Sequence, residues 1–507
     1  MIPQRIARLC LTLLCIAVLF SSIVAQSSTT KRTSSPDLPR SAPEAQGISS
    51  SDLLNFINTA DEQIDTMNSF LLIRHGHIVA EGYWTPYDAQ TRHALYSLTK
   101  SFTSTAVGLA VAEGKLRVDD LVLKYFPDEA PATPSTNLKA MRISDLLSMS
   151  TGHHAEAPNR PGEHWVKNFL AQPVDHKPGT YFLYNTPASH MLSAIVQKVT
   201  GAKTIDYLRP RLFEPLGIED PVWITSPQGE TSGGWGLKLR TREIARFGQL
   251  YLQKGKWQGR QLLPAAWVDL ATSRQASNGS NPASDWDQGY GFQFWRSRNN
   301  AYRGDGAFGQ YCVVIPHKDT VVIITSGVRN MQAVLDLVWD KLLPTLKEKP
   351  LPANAAVRKQ LEERLAGLSV RTQKGEATST DGARISGRGF AFPDNPRKME
   401  SMSLELDAGG EATLVMKQNG VEQRVAIGYG AWNKGQLAFG DWQSQPVAAS
   451  GAWTAPDTYT AKLCFYEEPF ILTVKLKFTE DKLVFDSEFN VGFGLTKQPQ
   501  LVGTMQR

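Results

Sequence analysis

Ser97 and Lys100 stand three residues apart in "ALYSLTKSFTSTAVG" (residues 94–108). A hydroxyl is a weak nucleophile until a base takes its proton, and an amine is a base only when neutral. If the stretch is helical, side chains at i and i+3 meet on one face. The residues that follow (Phe102, Ala106, Val107, Leu109, Ala110, Val111 and Ala112, ending at Gly114) are apolar almost all round. A helix apolar on every side is buried. Burial and the positive helix end both lower a lysine pKa. The pair is therefore a candidate nucleophile and base, with the Ser97 N–H aimed at a developing oxyanion. The same letters also describe a serine capping an ordinary helix, so other stretches must separate the two readings.

Two further stretches could complete such a site. In "PGTYFLYNTPASHMLSAIVQKVTG" a turn at Pro178-Gly179-Thr180 leads to Tyr184 and then to a helix carrying Met191, Leu192, Ile195, Val196 and Val199. Tyr184 reads either as a packing residue with a hydrogen-bonded tip or as a second base or leaving-group acid. In "AYRGDGAFGQYCVVIP" three glycines, Gly304, Gly306 and Gly309, interrupt a strand. Glycine in a strand marks a bulge or a close approach, and an edge strand there would lend a backbone N–H to a substrate.

"YSLTKSFTSTAVGLAVAEGKLRVDDLVLKYFP", "ISDLLSMSTG", "PGTYFLYNTPASHMLSAIVQKVTG" and "RGDGAFGQYCVVIP" occur in that order. Together they resemble the serine β-lactamase and penicillin-binding-protein-like hydrolases, nearest the class C β-lactamase-like and esterase branch that includes 6-aminohexanoate-dimer hydrolases. The resemblance covers roughly residues 40–345. It implies Ser97 as acylated nucleophile, Lys100 as its base partner and Tyr184 as the tyrosine of the second motif. The third motif then falls on Gly304, Asp305 and Gly306, and the oxyanion site on the N–H groups of Ser97 and Ala307. It implies no cofactor.

Two departures bear on substrate. The second motif of these hydrolases usually reads Tyr-x-Asn; here it reads Tyr184-Asn185-Thr186, so Asn has moved by one or Thr186 replaces it. The third motif lacks its usual Lys or His, and strand alternation points the neighbouring Arg303 away from the face of Gly304. Loss of that cation disfavours β-lactam and D-alanyl-D-alanine substrates and favours esters and uncharged amides. Trp235 in "GGWGL" is a pocket or core candidate. His153, His154, His164, His176 and His190 cluster in sequence but show no H-E-x-x-H spacing, so no metal site is expected.

The elements that must position these residues are readable in outline. "SFLLIRHGHIVAEGYW" is a hairpin around His75-Gly76. "SSSDLLNFINTADEQI" is a capped helix with Leu53, Leu54 and Ile57 on one face. Helices fill the middle, including "TREIARFGQLYLQKG", and "YGFQFW", "GQYCVVIP" and "DTVVIITSG" read as strands. This order predicts an α+β fold: a central antiparallel sheet flanked by helices with an all-helical lobe. Beyond "LKEKPLPANAA" the chain turns β-rich. Hairpin signals stand at Gly409-Gly410 and Asn419-Gly420. "FILTVKLKF" alternates, with Leu472, Val474, Leu476 and Phe478 on one face, which suggests a small barrel or sandwich.

The N-terminus is of secretory type: Arg5 and Arg8, an apolar run Leu9 to Phe20, then Ala25 before a cleavage point. The run is short for a membrane span. The expected organisation is signal peptide 1–25, flexible leader 26–45, hydrolase domain 46–346, linker and short helix 347–366, and C-terminal β domain 367–507. The 507-residue chain carries a formal charge of +5, and cleavage would remove two arginines. No dense Lys/Arg block marks a nucleic-acid partner. Cys312 and Cys464, the pair left after cleavage, are expected as buried free thiols rather than a disulfide.

The sequence thus predicts an exported, periplasmic or secreted serine hydrolase acting on a small ester, amide or peptide through an acyl-enzyme. The alternatives are a β-lactamase or D-amino-acid peptidase or amidase and, from another class, a weakly catalytic binding or sensor protein on the same scaffold. Oligomeric state stays open.

Overall fold

Runs such as "FLLI" and "VVII" are apolar at every position, and the computed structural model shows why: the sheet they form is buried on both faces. It describes residues 37–506 apart from 159, 161, 408, 441 and 442. The secretory-type segment and most of the leader lie outside the described residues.

Helix α1 (Ser50–Gln63) starts at Ser49, whose side chain accepts the Asp52 N–H at 3.0 Å. Strands β1 (Met67–Arg74) and β2 (His77–Tyr83) form the expected hairpin, with His75 and Gly76 at positive φ. Strands β3 (Trp295–Arg296), β4 (Tyr302–Gly306), β5 (Gln310–Ile315) and β6 (Thr320–Ser326) complete a six-stranded antiparallel sheet in the order β2-β1-β6-β5-β4-β3. Phe70 and Leu72 face one cluster with Phe56, Ile57, Val334 and Leu361. Leu71 and Ile73 face the other, with Phe102, Phe247 and the helical lobe.

One expected strand is not formed. In "YGFQFW" only Trp295 enters the sheet. Gln293 turns to φ 65. Its N–H donates to Leu147 O at 3.0 Å, and its carbonyl accepts the Ser101 hydroxyl at 3.0 Å. Those bonds tie the segment to helices instead of a neighbouring strand.

Segment 347–366 straps across the hydrolase core. Lys347 N–H donates to Gly47 O, and Leu351 N–H to Glu44 O. Helix Ala355–Ala366 lies on α1, where Arg364 reaches Asp61 at 2.6 Å. The C-terminal region closes ten antiparallel strands into a near-barrel around its own core of Leu414, Leu463, Leu472, Val474, Leu476 and Phe485. Asn419 and Gly420 make their turn at φ 51 and 77. The two parts share a unit spanning Leu38–Arg507. Cys312 and Cys464 are buried free thiols, with no disulfide between them. No helix among the described residues is long and apolar enough to cross a membrane.

Candidate active site

Helix α2 (Thr99–Ala112) is buried at every position from Thr99 to Ala110. A 3-10 turn, Tyr96–Leu98, runs directly into it, and no side chain caps either piece. Ser97 is therefore not a helix cap. It sits on the turn, partly exposed, and Tyr96 before it holds φ 47. A bulky residue in the left-handed region is rare, and such strain gathers at functional sites.

Lys100 is 1% exposed, and its Nζ lies 3.0 Å from Ser97 Oγ. The same nitrogen donates to Gly234 O at 2.8 Å and meets Thr186 Oγ1 at 3.4 Å. It stands over the Tyr184 ring, 4.9 Å from the centroid. Burial pushes the ammonium down to about 7, with the nearby Glu156 and Asp305 carboxylates opposing. A lysine so placed is substantially neutral at physiological pH.

Tyr184 enters from the extended piece before helix α3 (Thr186–Thr200). Its ring stacks on Trp295 (5.2 Å between centroids) and meets Tyr290 edge-on at 6.1 Å. Burial raises the phenol far above its ordinary range, and a hydrogen bond with Ser97 opposes that rise. The phenol therefore stays protonated at neutral pH and is placed to donate a hydrogen bond beside Ser97. Geometry places Asn185 and Thr186 differently. Asn185 is buried as the α3 N-cap, accepting the Ala188 N–H at 3.2 Å, while Thr186 faces Lys100.

The glycine-marked strand lies against the nucleophile turn. An added Cβ at Gly304 would meet Leu98 Cδ1 at 2.1 Å, and one at Gly306 would meet Leu95 O at 2.1 Å. The close approach these glycines permit is to the helix start rather than to a ligand. Strand β3 pairs only with Tyr302 and Arg303, so β4 has no strand partner on that side from Gly304 onward. The turn carrying Ala307 follows, with Phe308 and Gly309 at φ 67 and 90. Asp305 and Arg303 share the opposite face. Arg303 is fully buried and bound to Asp305 at 2.8 Å, to Ser297 Oγ at 2.7 Å and to Asp285 O at 2.9 Å. Burial lifts the Asp305 carboxyl to about 6 although Arg303 opposes. This cation is spent inside the protein.

Three contributors were not singled out from the sequence. Gly234 supplies its carbonyl to Lys100, and an added Cβ there would meet Thr186 Cγ2 at 2.7 Å. The doublet in "GGWGL" was the available signal. Trp235 beside it is 39% exposed. Glu156, exposed, accepts the Thr186 N–H at 2.9 Å. The third is Glu468 of the C-terminal near-barrel, which accepts the Tyr96 hydroxyl at 3.1 Å and pairs with Lys238 at 2.7 Å. Among the described residues no group of three or more His, Cys, Asp or Glu side chains could hold a metal ion. His164 caps a helix, and His153 bonds Thr151.

The Beta-lactamase family model matches residues 60–337, which contain every one of these site residues except Glu468. The chain is 27% identical over 283 residues to the 6-aminohexanoate-dimer hydrolase of Paenarthrobacter ureafaciens, covering 51% of this chain and 72% of that one. It is 28% identical over 240 residues to an Escherichia coli K12 protein named, as a provisional assignment, D-alanyl-D-alanine carboxypeptidase. That match spans 41% of this chain and 55% of the relative. The octameric penicillin-binding-protein homologue of Pyrococcus abyssi superposes with a TM-score of 0.46 at 16% identity, over 90% of this chain and 99% of that one. With more than half its length matched by the family model, the chain belongs to the β-lactamase family and is a hydrolase of the serine β-lactamase and penicillin-binding-protein superfamily.

Proposed function

We propose that this protein is an exported serine hydrolase that cleaves an ester or amide bond through an acyl-enzyme on Ser97. The observation that carries the reading is the buried Lys100 amine, 3.0 Å from the Ser97 hydroxyl and poised near neutrality at about 7. Neutral Lys100 takes the Ser97 proton as Oγ attacks the substrate carbonyl. The tetrahedral oxyanion lies between the N–H groups of Ser97 and Ala307. Protonated Tyr184 hands its proton to the leaving group and is reprotonated from Lys100. Water then attacks the acyl carbon as Lys100 takes its proton, and Lys100 returns that proton to Ser97 Oγ as the acyl–oxygen bond breaks and the acid leaves.

Uncharged acyl groups suit the site because Arg303 is already bound to Asp305. The Arg5, Arg8 and Leu9 to Phe20 pattern supports export. A second reading, hydrolysis of linear amides bearing a free amine, draws on Glu156, an exposed carboxylate at the Thr186 end of α3. Turnover of short p-nitrophenyl esters by the protein and by Ser97→Ala tests the first reading. The variant should lose at least about 10³-fold in rate, since one oxyanion donor alone is worth ~10²–10³. Equal turnover would remove Ser97 from the mechanism, and failure of a fluorophosphonate to label Ser97 would favour the binding-protein alternative.

A further inference from the structure

Phe493 is 79% exposed and Leu495 92% exposed on the loop joining strands Lys482–Phe489 and Leu501–Met505 of the near-barrel. Single exposed apolar residues are ordinary, but Phe493 is not isolated. Its ring centroid lies 4.8 Å from Phe308 and 5.9 Å from Tyr96. Phe470, also from the near-barrel, lies 5.7 Å from Phe308 and 6.4 Å from Tyr96. Tyr96 is bonded to Ser97, and Phe308 to Ala307. The four rings thus continue directly from the two residues whose amides flank the proposed oxyanion.

The base of the loop is fixed by hydrogen bonds and its tip is exposed. Asn490 donates to Gly327 O at 2.9 Å and to Pro469 O at 3.0 Å, and its own Oδ1 accepts the Ile471 N–H. Arg329 holds Asn490 O and Thr496 Oγ1. Phe493 stands between Gly492 and Gly494, and nothing lies within 4 Å of an added Cβ at Gly494. The polar groups bordering the rings are paired: Glu468 takes the Tyr96 hydroxyl, and Lys238 neutralises Glu467 and Glu468 at 3.3 and 2.7 Å. Tyr184 belongs to a different ring cluster, with Trp295, Tyr290 and Phe182. The proton-donating, leaving-group side and the four-ring wall are therefore built from separate residues.

Resting on the reading of Ser97 as nucleophile, we propose that the C-terminal near-barrel supplies half of the acyl subsite. Phe470 and Phe493, with Tyr96 and Phe308, hold an apolar or aromatic acyl chain, and the preferred substrates are esters or amides of uncharged hydrophobic acids. The acyl selectivity of the enzyme is then set partly outside the region matched by the family model.

The test is a p-nitrophenyl series of acetate, butyrate, octanoate and phenylacetate, read as kcat/KM for the full chain and for Phe493→Ala. The full chain should favour octanoate and phenylacetate over acetate by at least about tenfold, the scale of a methylene or two in an apolar pocket. Phe493→Ala should shrink that ratio several-fold, and Phe493→Asp should shrink it further. The exposed tip leaves folding intact, checked by the thermal midpoint. A flat series, or a ratio unchanged in both variants, overturns the wall while leaving Ser97 in place. Fluorophosphonate labelling run alongside separates the two: an unlabelled Ser97 with no ester turnover removes the nucleophile and the subsite together.

Discussion

Lys100 Nζ and Gly234 O are 2.8 Å apart, closer than the lysine is to Ser97. A main-chain carbonyl from a glycine doublet thus holds the amine beside the serine while burial keeps it near neutrality.

Activity should rise with pH through about 7. The Lys100 amine, ordinarily titrating at 10.5, is lowered to about 7 by burial. Below that pH it is protonated and cannot accept the Ser97 proton. kcat/KM should therefore fall about tenfold per pH unit well below 7 and reach a plateau above it. A profile flat from pH 5 to 9 would exclude Lys100 as base.

Lys100→Met should abolish turnover and stabilise the fold at pH 6. A buried group whose folded pKa is lowered leaves the unfolded chain binding the extra proton between about 7 and 10.5. Folding stability from this group therefore rises with pH across that window, and its cost is fullest below it. Thermal melts at pH 6 should place the variant's midpoint above the parent's. A lower midpoint would contradict the cost assigned to burying this lysine.

Gly234→Ala should lower kcat more than it raises KM. Its Cβ would come within 2.7 Å of Thr186 Cγ2 and 3.0 Å of Thr186 O, displacing the carbonyl from Lys100. A tenfold loss is the expected scale, since small misplacements near the reacting atoms are costly. Steady-state kinetics with one ester settles it.

Glu468→Ala should slow acylation although residue 468 lies outside the matched region. It removes the acceptor of the Tyr96 hydroxyl and the partner of Lys238. Tyr96 at φ 47 then loses a fastening beside Ser97. Glu468→Gln retains the acceptor and should recover much of the labelling rate with fluorophosphonate. Equal rates in parent and Ala variant would deny Glu468 a positioning role.

Gly304→Val should destabilise the fold by about 1–3 kcal/mol, the usual cost of overpacking. The collision is with Leu98 Cδ1 at 2.1 Å. A urea midpoint shift reports it.

The reach of sequence reasoning follows a physical line. Ser97, Lys100 and Tyr184 carry their chemistry in side chains, and helical spacing brings the first two together. The double-sided burial of the sheet was written in unbroken apolar runs. Gly234 acts through a carbonyl that every residue owns, so its type says little. Glu468 lies 372 residues from Tyr96 along the chain, and no local pattern links them. "YGFQFW" looked like a strand because aromatic residues favour strands. Gln293 donates its side-chain amide to Leu146 O and Leu147 O of one helix and accepts the Ser189 hydroxyl of another, and those buried bonds overrode that preference.

Ala94, on the strand leading to the nucleophile turn, donates its N–H to Glu467 O of the near-barrel at 2.9 Å. The two halves of the polypeptide are thus interlocked by main chain as well as by side chains. A chain cut after the hydrolase core would lose that splice. A substitution in the C-terminal near-barrel is therefore felt at the nucleophile turn, through the Ala94 main chain and the Tyr96 side chain.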